Sequence, residues 1–343
     1  MTTDPRPRLR PPSVERLLAA VRARRSEAGL AGPAPGAEPD HHALVAAARS
    51  VLADERARLA ADGTSAPRPV AELAAELERR RAAWLGRPVQ RAINATGVIV
   101  HTNLGRAPWP TEAVAAAAAA SAALLLEFDR ATGRRGARFR LAEEHLIALT
   151  GAEDALVTNN NAAALALAVA LAGRGRGVAV SRGELVEIGG GVRIPEVVRR
   201  AGARLVEVGT TNRTRAADFE AALADGSASL VLRVHPSNFS QSGFTETPDP
   251  GAVVAIAHRH GALVVDDLGP GALLPTERYG LAHEPTPGER IQAGADVVTF
   301  SGDKLVGGPQ AGLVVGRADL ITRMRRDPRA RAMRPDKTTL AAV

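Results

Sequence analysis

Thr299-Phe300-Ser301-Gly302-Asp303-Lys304-Leu305-Val306-Gly307-Gly308 sets one of only two lysines between apolar, strand-like runs, the other lysine being Lys337. The glycines around it let backbone approach a ligand closely. A desolvated ε-amine can form an imine with an aldehyde and act as a base. Lys304 is therefore a candidate to carry an aldehyde cofactor. A structural lysine that caps a helix or pairs with Asp303 is the alternative.

On both sides of this stretch, from Arg91 onward, apolar strand-like runs alternate with helical ones. This alternation predicts an α/β core with a mainly parallel seven-stranded sheet and helices on both faces. Ligands of such sheets bind at the carboxyl ends of the strands, so functional residues are expected there. The candidate strands are Ala155–Thr158, Gly177–Ser181, Arg204–Val208, Leu230–Val234, Leu263–Asp266, Val297–Phe300 and Gly312–Val315.

An acidic pair ends the strand that precedes the lysine, in Leu263-Val264-Val265-Asp266-Asp267. A carboxylate at this position can keep a pyridine nitrogen protonated, which makes the ring an electron sink. Neighbouring strand residues face opposite sides of a sheet, so only one of the pair can do this. Asp267 is the preferred candidate and Asp266 its competitor.

A cluster of asparagines, Thr158-Asn159-Asn160-Asn161, follows the first core strand and opens a helix. Backbone N–H groups and the dipole at a helix start favour a phosphate, with Asn160 and Asn161 as further donors or as plain helix caps. Ser301 is placed to donate its hydroxyl to the same phosphate. The order of Asn cluster, Asp and Ser-x-x-Lys is that of a pyridoxal-phosphate site in a fold-type-I transferase.

Three amphipathic helical stretches precede residue 90: Val14 to Ala28, His42 to Ala61 and Val70 to Leu85. Turns at 32–36 and 63–69 separate them. We expect a helical domain at residues 1–88, a catalytic core at 89–325, and the start of a small C-terminal domain at 326–343.

The net charge of +7 is concentrated at the two ends of the chain. Residues 1–90 hold 15 Arg against 11 acidic residues, and residues 317–343 hold eight Arg or Lys against three Asp. Basic ends around a near-neutral core fit a polyanionic partner. A general preference for Arg over Lys would produce the same counts.

Cysteine is absent, which excludes disulfides, thiolate metal sites and a cysteine nucleophile, and no other metal site is predicted. The N-terminus lacks a signal-peptide pattern, and the longest apolar run is too short to span a bilayer. A cytoplasmic protein is expected.

Five long motifs resemble bacterial selenocysteine synthase, the L-seryl-tRNA(Sec) selenium transferase family. They are Asn94 to Arg106, Thr158 to Ala163, Ser181 to Gly190, Val208 to Thr214 and the Lys304 segment. The resemblance implies a homodecameric pyridoxal-phosphate enzyme that converts seryl-tRNA(Sec) to selenocysteinyl-tRNA(Sec) with selenophosphate, through a cofactor-bound aminoacrylyl intermediate. It also implies that the N-terminal helical domain binds the tRNA.

Arginines suit the selenophosphate because their planar fork bonds oxyanions bidentately. The resemblance places Arg106, Arg331 and Arg334 at that site, and Arg138 or Arg140 could add to it. For each of them a solvated surface charge is the alternative.

Three residues remain open as the side chain that faces the cofactor ring. His235 follows a core strand and could contact the cofactor or act as an acid, or could stabilise a turn. Glu184 and Glu187 follow another strand and could instead pair with arginines.

The chain departs from the family pattern by ending at Val343, where the family continues into a C-terminal domain, so a truncated form is expected. Two other functions compete: a related fold-type-I lyase or transferase that acts on a free amino acid or amino sugar, and a catalytically inert tRNA-binding relative.

Overall fold

The computed structural model describes residues 10–27, 41–61, 66–86, 89–136, 138 and 140–343. They form two compact units, Met1–Ala92 and Ile93–Val343, and the division falls four residues after the predicted boundary at residue 88 (92 − 88). The predicted turn at 32–36 lies outside the described residues, as does part of the turn at 63–69. No helix in the described ranges is long and apolar enough to cross a membrane.

In its described residues the first unit has three helices: α1 (Val14–Glu27), α2 (His41–Ala61) and α3 (Val70–Leu85). They match the three predicted stretches to within one residue at each end. Leucine, valine and alanine side chains at helical spacing, among them Leu17, Val51 and Leu77, form one shared core. Glu55 is buried in this unit and accepts hydrogen bonds from the guanidinium groups of Arg58 (2.6 Å) and Arg68 (2.7 Å).

The second unit is built on a seven-stranded sheet and also has two short hairpins. Its strands are β1 (Phe128–Asp129), β2 (Arg134–Arg135), β3 (Asp154–Thr158), β4 (Gly177–Ser181), β5 (Glu187–Ile188), β6 (Val192–Arg193), β7 (Arg204–Val208), β8 (Leu230–Val234), β9 (Leu263–Gly269), β10 (Val297–Ser301) and β11 (Gly312–Gly316). The hairpins are β1–β2, before β3 in sequence, and β5–β6, after β4. Each predicted strand is present, and β9 runs three residues further than predicted.

Six strands of the large sheet are parallel. The order is β3-β11-β10-β9-β8-β4-β7, and β11 alone is antiparallel to its neighbours. The carboxyl ends of the six parallel strands therefore meet at one edge, where the start of β11 also lies. This confirms the mainly parallel architecture, and it brings the turns that hold the predicted site residues to one edge.

Helices of the second unit cover both faces of this sheet, and the unit has ten α-helices among its described residues. They are α4 (Thr111–Ala120), α5 (Leu141–Thr150), α6 (Asn161–Val169), α7 (Ile194–Arg200), α8 (Ala216–Ala224), α9 (Pro250–Arg259), α10 (Pro287–Gln292), α11 (Ala318–Arg326), α12 (Pro328–Ala332) and α13 (Lys337–Ala342). Val265 packs with α6, α7 and α11 on one face, whereas Val264 packs with α8 and α9 on the other. The helices α12 and α13 belong to this unit, and α13 packs against α4 and α5.

Candidate active site

Lys304 lies in the turn that follows β10, at the carboxyl edge of the sheet. The turn is closed by backbone hydrogen bonds from Gly302 N–H to Ala311 O (2.9 Å) and from Gly308 N–H to Gly302 O (2.8 Å). Burial lowers the pKa of the Lys304 amine, and Arg106 lowers it further, whereas Asp267 raises it. A largely desolvated amine in a fixed turn is suited to nucleophilic and base chemistry.

Asp267, and not Asp266, faces the same side of the sheet as α6. Its Oδ1 accepts hydrogen bonds from Asn161 Nδ2 (2.8 Å) and Thr299 Oγ1 (2.9 Å). Burial raises the pKa of Asp267, while these hydrogen bonds and the charge of Lys304 hold it down. Asp266 points to the opposite face, where Arg290 Nε lies 3.5 Å from its Oδ2.

The two asparagines of the predicted phosphate cradle have different contacts. Asn160 caps α6, because its Oδ1 accepts a hydrogen bond from Ala163 N–H at 2.9 Å. Asn161 donates to Asp267, and its own Oδ1 is buried without a hydrogen-bond partner. The N–H groups in the first turn of α6 therefore lie beside an amide oxygen that has no hydrogen-bond partner.

Gly312 lets β11 pass close to this cradle. A Cβ at Gly312 would lie 2.1 Å from Asn160 O and 2.3 Å from Thr158 Oγ1, which no side chain can occupy. Ser301, the predicted hydroxyl donor, is buried at the end of β10 and pairs with Gly312 in the sheet. The predicted lysine, Asp267, both asparagines and Ser301 thus come from turns and strand ends at one edge.

Arg106 forms an ion pair with Asp303, the residue before the lysine. Its backbone has φ +64°, which makes it the one non-glycine residue with a left-handed backbone in the described part of the chain. Such a conformation costs free energy and is found where surrounding structure holds it. Asp303 therefore pairs with Arg106 through Oδ2, and its charge also raises the pKa of the neighbouring Lys304.

The other predicted anion-binding arginines line one cavity of about 450 Å³. Arg138, Arg331 and Arg334 lie in its wall, together with Arg140, whereas Arg106 is not among the lining residues. Two lining arginines, Arg331 and Arg334, have exposed side chains. The cavity is therefore rich in guanidinium groups.

Contacts fix the position of this cavity. Arg138 donates to Pro335 O (2.8 Å) and Glu127 Oε1 (3.1 Å), and its buried Nε has no partner. Asn159 N–H donates to Met333 O at 2.8 Å. Because Met333 lies between the two exposed arginines in sequence, this bond joins their segment to the start of α6.

The three open candidates for a ring-facing residue make other contacts. Glu187 is half exposed and pairs with Arg193 across the β5–β6 hairpin (2.7 Å). Glu184 is buried beside Arg233, and His235 Nε2 lies 2.9 Å from Glu284 Oε2. Burial raises the pKa of Glu184 to about 7.

Sequence reasoning missed two contributors, Thr299 and Ser237. Thr299 lies opposite Asp267 in the parallel register, a contact that required the strand order to be known. A Cβ built on Gly269 would lie 3.2 Å from Ser237 Oγ and 4.0 Å from Lys304 Nζ, so a glycine leaves a small space between these side chains. Ser237 follows β8, and its position at a strand's carboxyl end was the only available signal.

The family model and the curated relatives that match this chain agree on one family. A family model described as L-seryl-tRNA selenium transferase matches residues 92–343. The L-seryl-tRNA(Sec) selenium transferase of Carboxydothermus hydrogenoformans is 46% identical over 296 residues, which cover 86% of this chain and 63% of that protein. This chain spans less than two thirds of the length of the curated relatives first matched.

Solved structures resemble the core at the level of the fold. A D-glucosaminate-6-phosphate ammonia-lyase matches with a TM-score of 0.60 at 24% identity, covering 76% of this chain and 68% of that one. A structure of SPT with pyridoxal phosphate matches with a TM-score of 0.50 at 18% identity, covering 68% and 56%. The core therefore has the predicted fold-type-I architecture.

Proposed function

The chain belongs to the L-seryl-tRNA selenium transferase family, and from this we propose that it is a pyridoxal-phosphate enzyme that converts L-seryl-tRNA(Sec) to L-selenocysteinyl-tRNA(Sec) with selenophosphate. The observation that carries the proposal is the arrangement of Lys304, Asp267 and the start of α6 at one edge of the sheet. The family membership and this arrangement support the same chemistry independently.

The residues present fit pyridoxal phosphate. The space that Gly269 leaves between Ser237 and Lys304 gives room beside the amine. The buried Asn161 Oδ1 lacks a partner, and the start of α6 offers N–H groups to a phosphate. Lys304 would bind the aldehyde carbon, Asp267 the ring nitrogen, and the turn at Asn160, Asn161 and Ser301 the phosphate.

When bound, pyridoxal phosphate supplies an electron sink for charge that develops at the α-carbon of the seryl group. Asp267 would keep the ring nitrogen protonated, because a neighbouring carboxylate favours the positive charge there. The positive charge would in turn lower the pKa of Asp267, which burial raises. Lys304 would accept the α-proton at Nζ, because burial lowers the pKa of its amine and so favours the neutral form that can take up a proton.

The arginine-lined cavity is the proposed selenophosphate site. Arg138, Arg331 and Arg334 present guanidinium groups, and the Asn159–Met333 bond holds this segment beside the cofactor cradle. Arg106, held by Asp303 next to the lysine, is placed to bind an anion from the cofactor side. Selenium would then be delivered between Arg106 and the three arginines of the cavity.

The first unit is the proposed tRNA-binding domain. Its 15 arginines against 11 acidic residues within residues 1–90 favour binding to the phosphate backbone. A cytoplasmic homo-oligomer, decameric as in the family, completes the proposal.

A reaction with seryl-tRNA(Sec), pyridoxal phosphate and selenophosphate tests it. Mass spectrometry of the aminoacyl-adenosine released by nuclease should show the hydroxyl replaced by selenol. Free L-serine and amino-sugar phosphates serve as competing substrates. A protein that binds no seryl-tRNA(Sec) in a filter assay but consumes a free amino acid or amino sugar would overturn the assignment.

A further inference from the structure

A buried group of four charged side chains lies on the face of the sheet opposite Asp267. It consists of Glu184, Arg233, Asp266 and Arg290, which we call the ion cluster, and it lines a cavity of about 310 Å³. Arg290 Nε lies 3.5 Å from Asp266 Oδ2, and Arg233 Nη2 lies 3.7 Å from Glu184 Oε1. Both pairs are therefore close enough for attraction and too long for good hydrogen bonds.

Such a cluster contributes little to the stability of the fold. Taking charges out of water costs several kcal/mol per ion unless hydrogen bonds satisfy them. Here Arg233 Nε, Arg233 Nη1 and Arg290 Nε are buried without hydrogen-bond partners. Two carboxyl groups face the two guanidinium groups, and Glu184, whose pKa is raised to about 7, carries only part of its charge at neutral pH. The placement of the cluster is its more informative property.

The strand ladder becomes irregular just after the residue that the proposed site depends on. Thr299 pairs with Asp267, but the next residue, Phe300, pairs with Gly269, so that Leu268 is skipped. A bulge of this kind interrupts the ladder locally and changes the strand direction. Gly269 follows with a left-handed φ of +67°. Asp267 itself is paired on both sides, with Thr299 of β10 and Val234 of β8, and the ladder with β10 is irregular only from the next residue onward.

Contacts on the opposite face hold Asp266, the residue before Asp267. Arg233 lies beside Asp266 in the parallel register of β8 and β9, and Glu184 Oε2 accepts from Val234 N–H at 3.2 Å. Burial raises the pKa of Asp266, and Arg290 is the strongest group that holds it down. Arg290 comes from α10, a short helix that begins with a capping box between Thr286 and Glu289.

We propose that Arg290 is a positioning residue which, by holding Asp266, fixes the end of β9 and so the orientation of Asp267 towards the cofactor. The proposal rests on the proposed function, because it takes Asp267 as the partner of the ring nitrogen. Arg290 itself lies on the opposite face from the reacting groups. Its effect passes through one peptide unit, from Asp266 to Asp267.

The test compares two methionine variants. Arg290→Met removes the charge that faces Asp266, and Arg317→Met is the matched control, because Arg317 Nη1 donates to the buried Asp296 (2.9 Å) at the other end of the sheet. Absorbance titration gives the Kd for pyridoxal phosphate, and thermal unfolding without cofactor gives stability. The pH at which the absorbance of the bound cofactor changes reports the proton on the imine nitrogen, and a proton held on the ring nitrogen lowers that pH.

Arg290→Met should weaken pyridoxal-phosphate binding on the order of tenfold, the scale seen when a residue that orients a ligand group is lost. It should also raise the pH of the absorbance change, because a ring nitrogen that holds its proton less firmly no longer lowers the pKa of the imine. Arg317→Met should lose stability and keep both properties, and Arg290→Lys should recover most of the affinity. Equal affinity and an equal pH of change in Arg290→Met and wild type would overturn the proposal.

Two further outcomes are decisive. If Arg290→Met does not fold, the double variant Asp266→Asn/Arg290→Met, which leaves no unpaired charge, should show the same loss of affinity, and wild-type affinity in it overturns the proposal. A wild-type protein that binds no pyridoxal phosphate overturns the proposed function together with this inference. If wild type binds pyridoxal phosphate and Arg290→Met binds it equally well, only the inference about Arg290 is overturned.

Discussion

At the scale of single residues, the candidate site depends on two buried ionisable groups. Burial favours the neutral form of each group, and neighbouring charges and hydrogen bonds favour the ionised form. Burial pushes Lys304 towards its neutral amine and Asp267 towards its neutral acid, and each opposes the shift of the other. A ligand that brings a cation to Asp267 and an aldehyde to Lys304 satisfies both groups. Pyridoxal phosphate is such a ligand.

Glu184 gives a prediction of pH-dependent stability. Burial raises its pKa in the folded protein to about 7, above the ordinary value of 4.5, so ionisation is harder in the native state. The free energy of unfolding is therefore highest below pH 4.5 and falls as the pH rises towards 7, by about 3 kcal/mol at most. Glu184→Gln does not ionise, so its stability relative to wild type should rise over that range.

Urea unfolding of wild type and Glu184→Gln at pH 4.5, 6 and 8 measures this difference. A constant offset, from the weakened contact with Arg233, is expected at all three pH values. Parallel pH profiles for the two proteins would contradict a raised pKa at Glu184.

At the scale of elements, the sheet was predictable and the fine pairing was not. Apolar runs and the turns after them located every strand of the large sheet, since strands buried on both faces appear in the sequence as unbroken apolar runs. The choice between Asp266 and Asp267 needed the strand neighbours, because either could face α6. The contacts of Thr299, Ser237 and Arg290 join segments distant in sequence, which no local pattern records.

The two end glycines of β11 allow a matched test of the cradle. A Cβ at Gly312 would meet Asn160 O at 2.1 Å, and one at Gly316 would meet Asp296 O at 2.3 Å. Gly312→Ala and Gly316→Ala should each cost about 1–3 kcal/mol of stability through overpacking. Only Gly312→Ala should also weaken pyridoxal-phosphate binding, since only Gly312 adjoins the start of α6.

Calorimetry for stability and absorbance titration for the Kd separate the two effects. Equal loss of cofactor affinity in both variants would show that β11 acts through overall stability and not through the cradle.

At the scale of the whole molecule, charge is divided between the two units. The helical unit supplies basic charge without a recognisable binding motif, and tRNA recognition rests largely on shape and backbone charge. The sequence therefore predicted a polyanionic partner from composition, while the tRNA itself came from family resemblance. The fact that this chain spans under two thirds of its relatives' length makes the substrate a matter for direct measurement.

Binding of seryl-tRNA(Sec) should depend steeply on salt. Between about 50 and 200 mM salt the affinity should fall by at least tenfold, as counterion release requires when several phosphates are contacted. Arg49→Gln/Arg56→Gln removes two exposed charges from α2 and should flatten the slope. Arg174→Gln/Arg176→Gln, which removes two exposed charges next to the amino end of β4, should leave it unchanged.

The most direct test of the account is to locate pyridoxal phosphate on the chain. Borohydride reduction followed by peptide mass mapping identifies the lysine that carries the cofactor, and the chain has two, Lys304 and Lys337. Lys337 donates to Ser121 O (3.0 Å) and serves as the control, because Lys337→Ala should leave labelling intact. The account predicts one cofactor per chain on Lys304, abolished by Lys304→Ala. Label on Lys337, or undiminished label in Lys304→Ala, would contradict it.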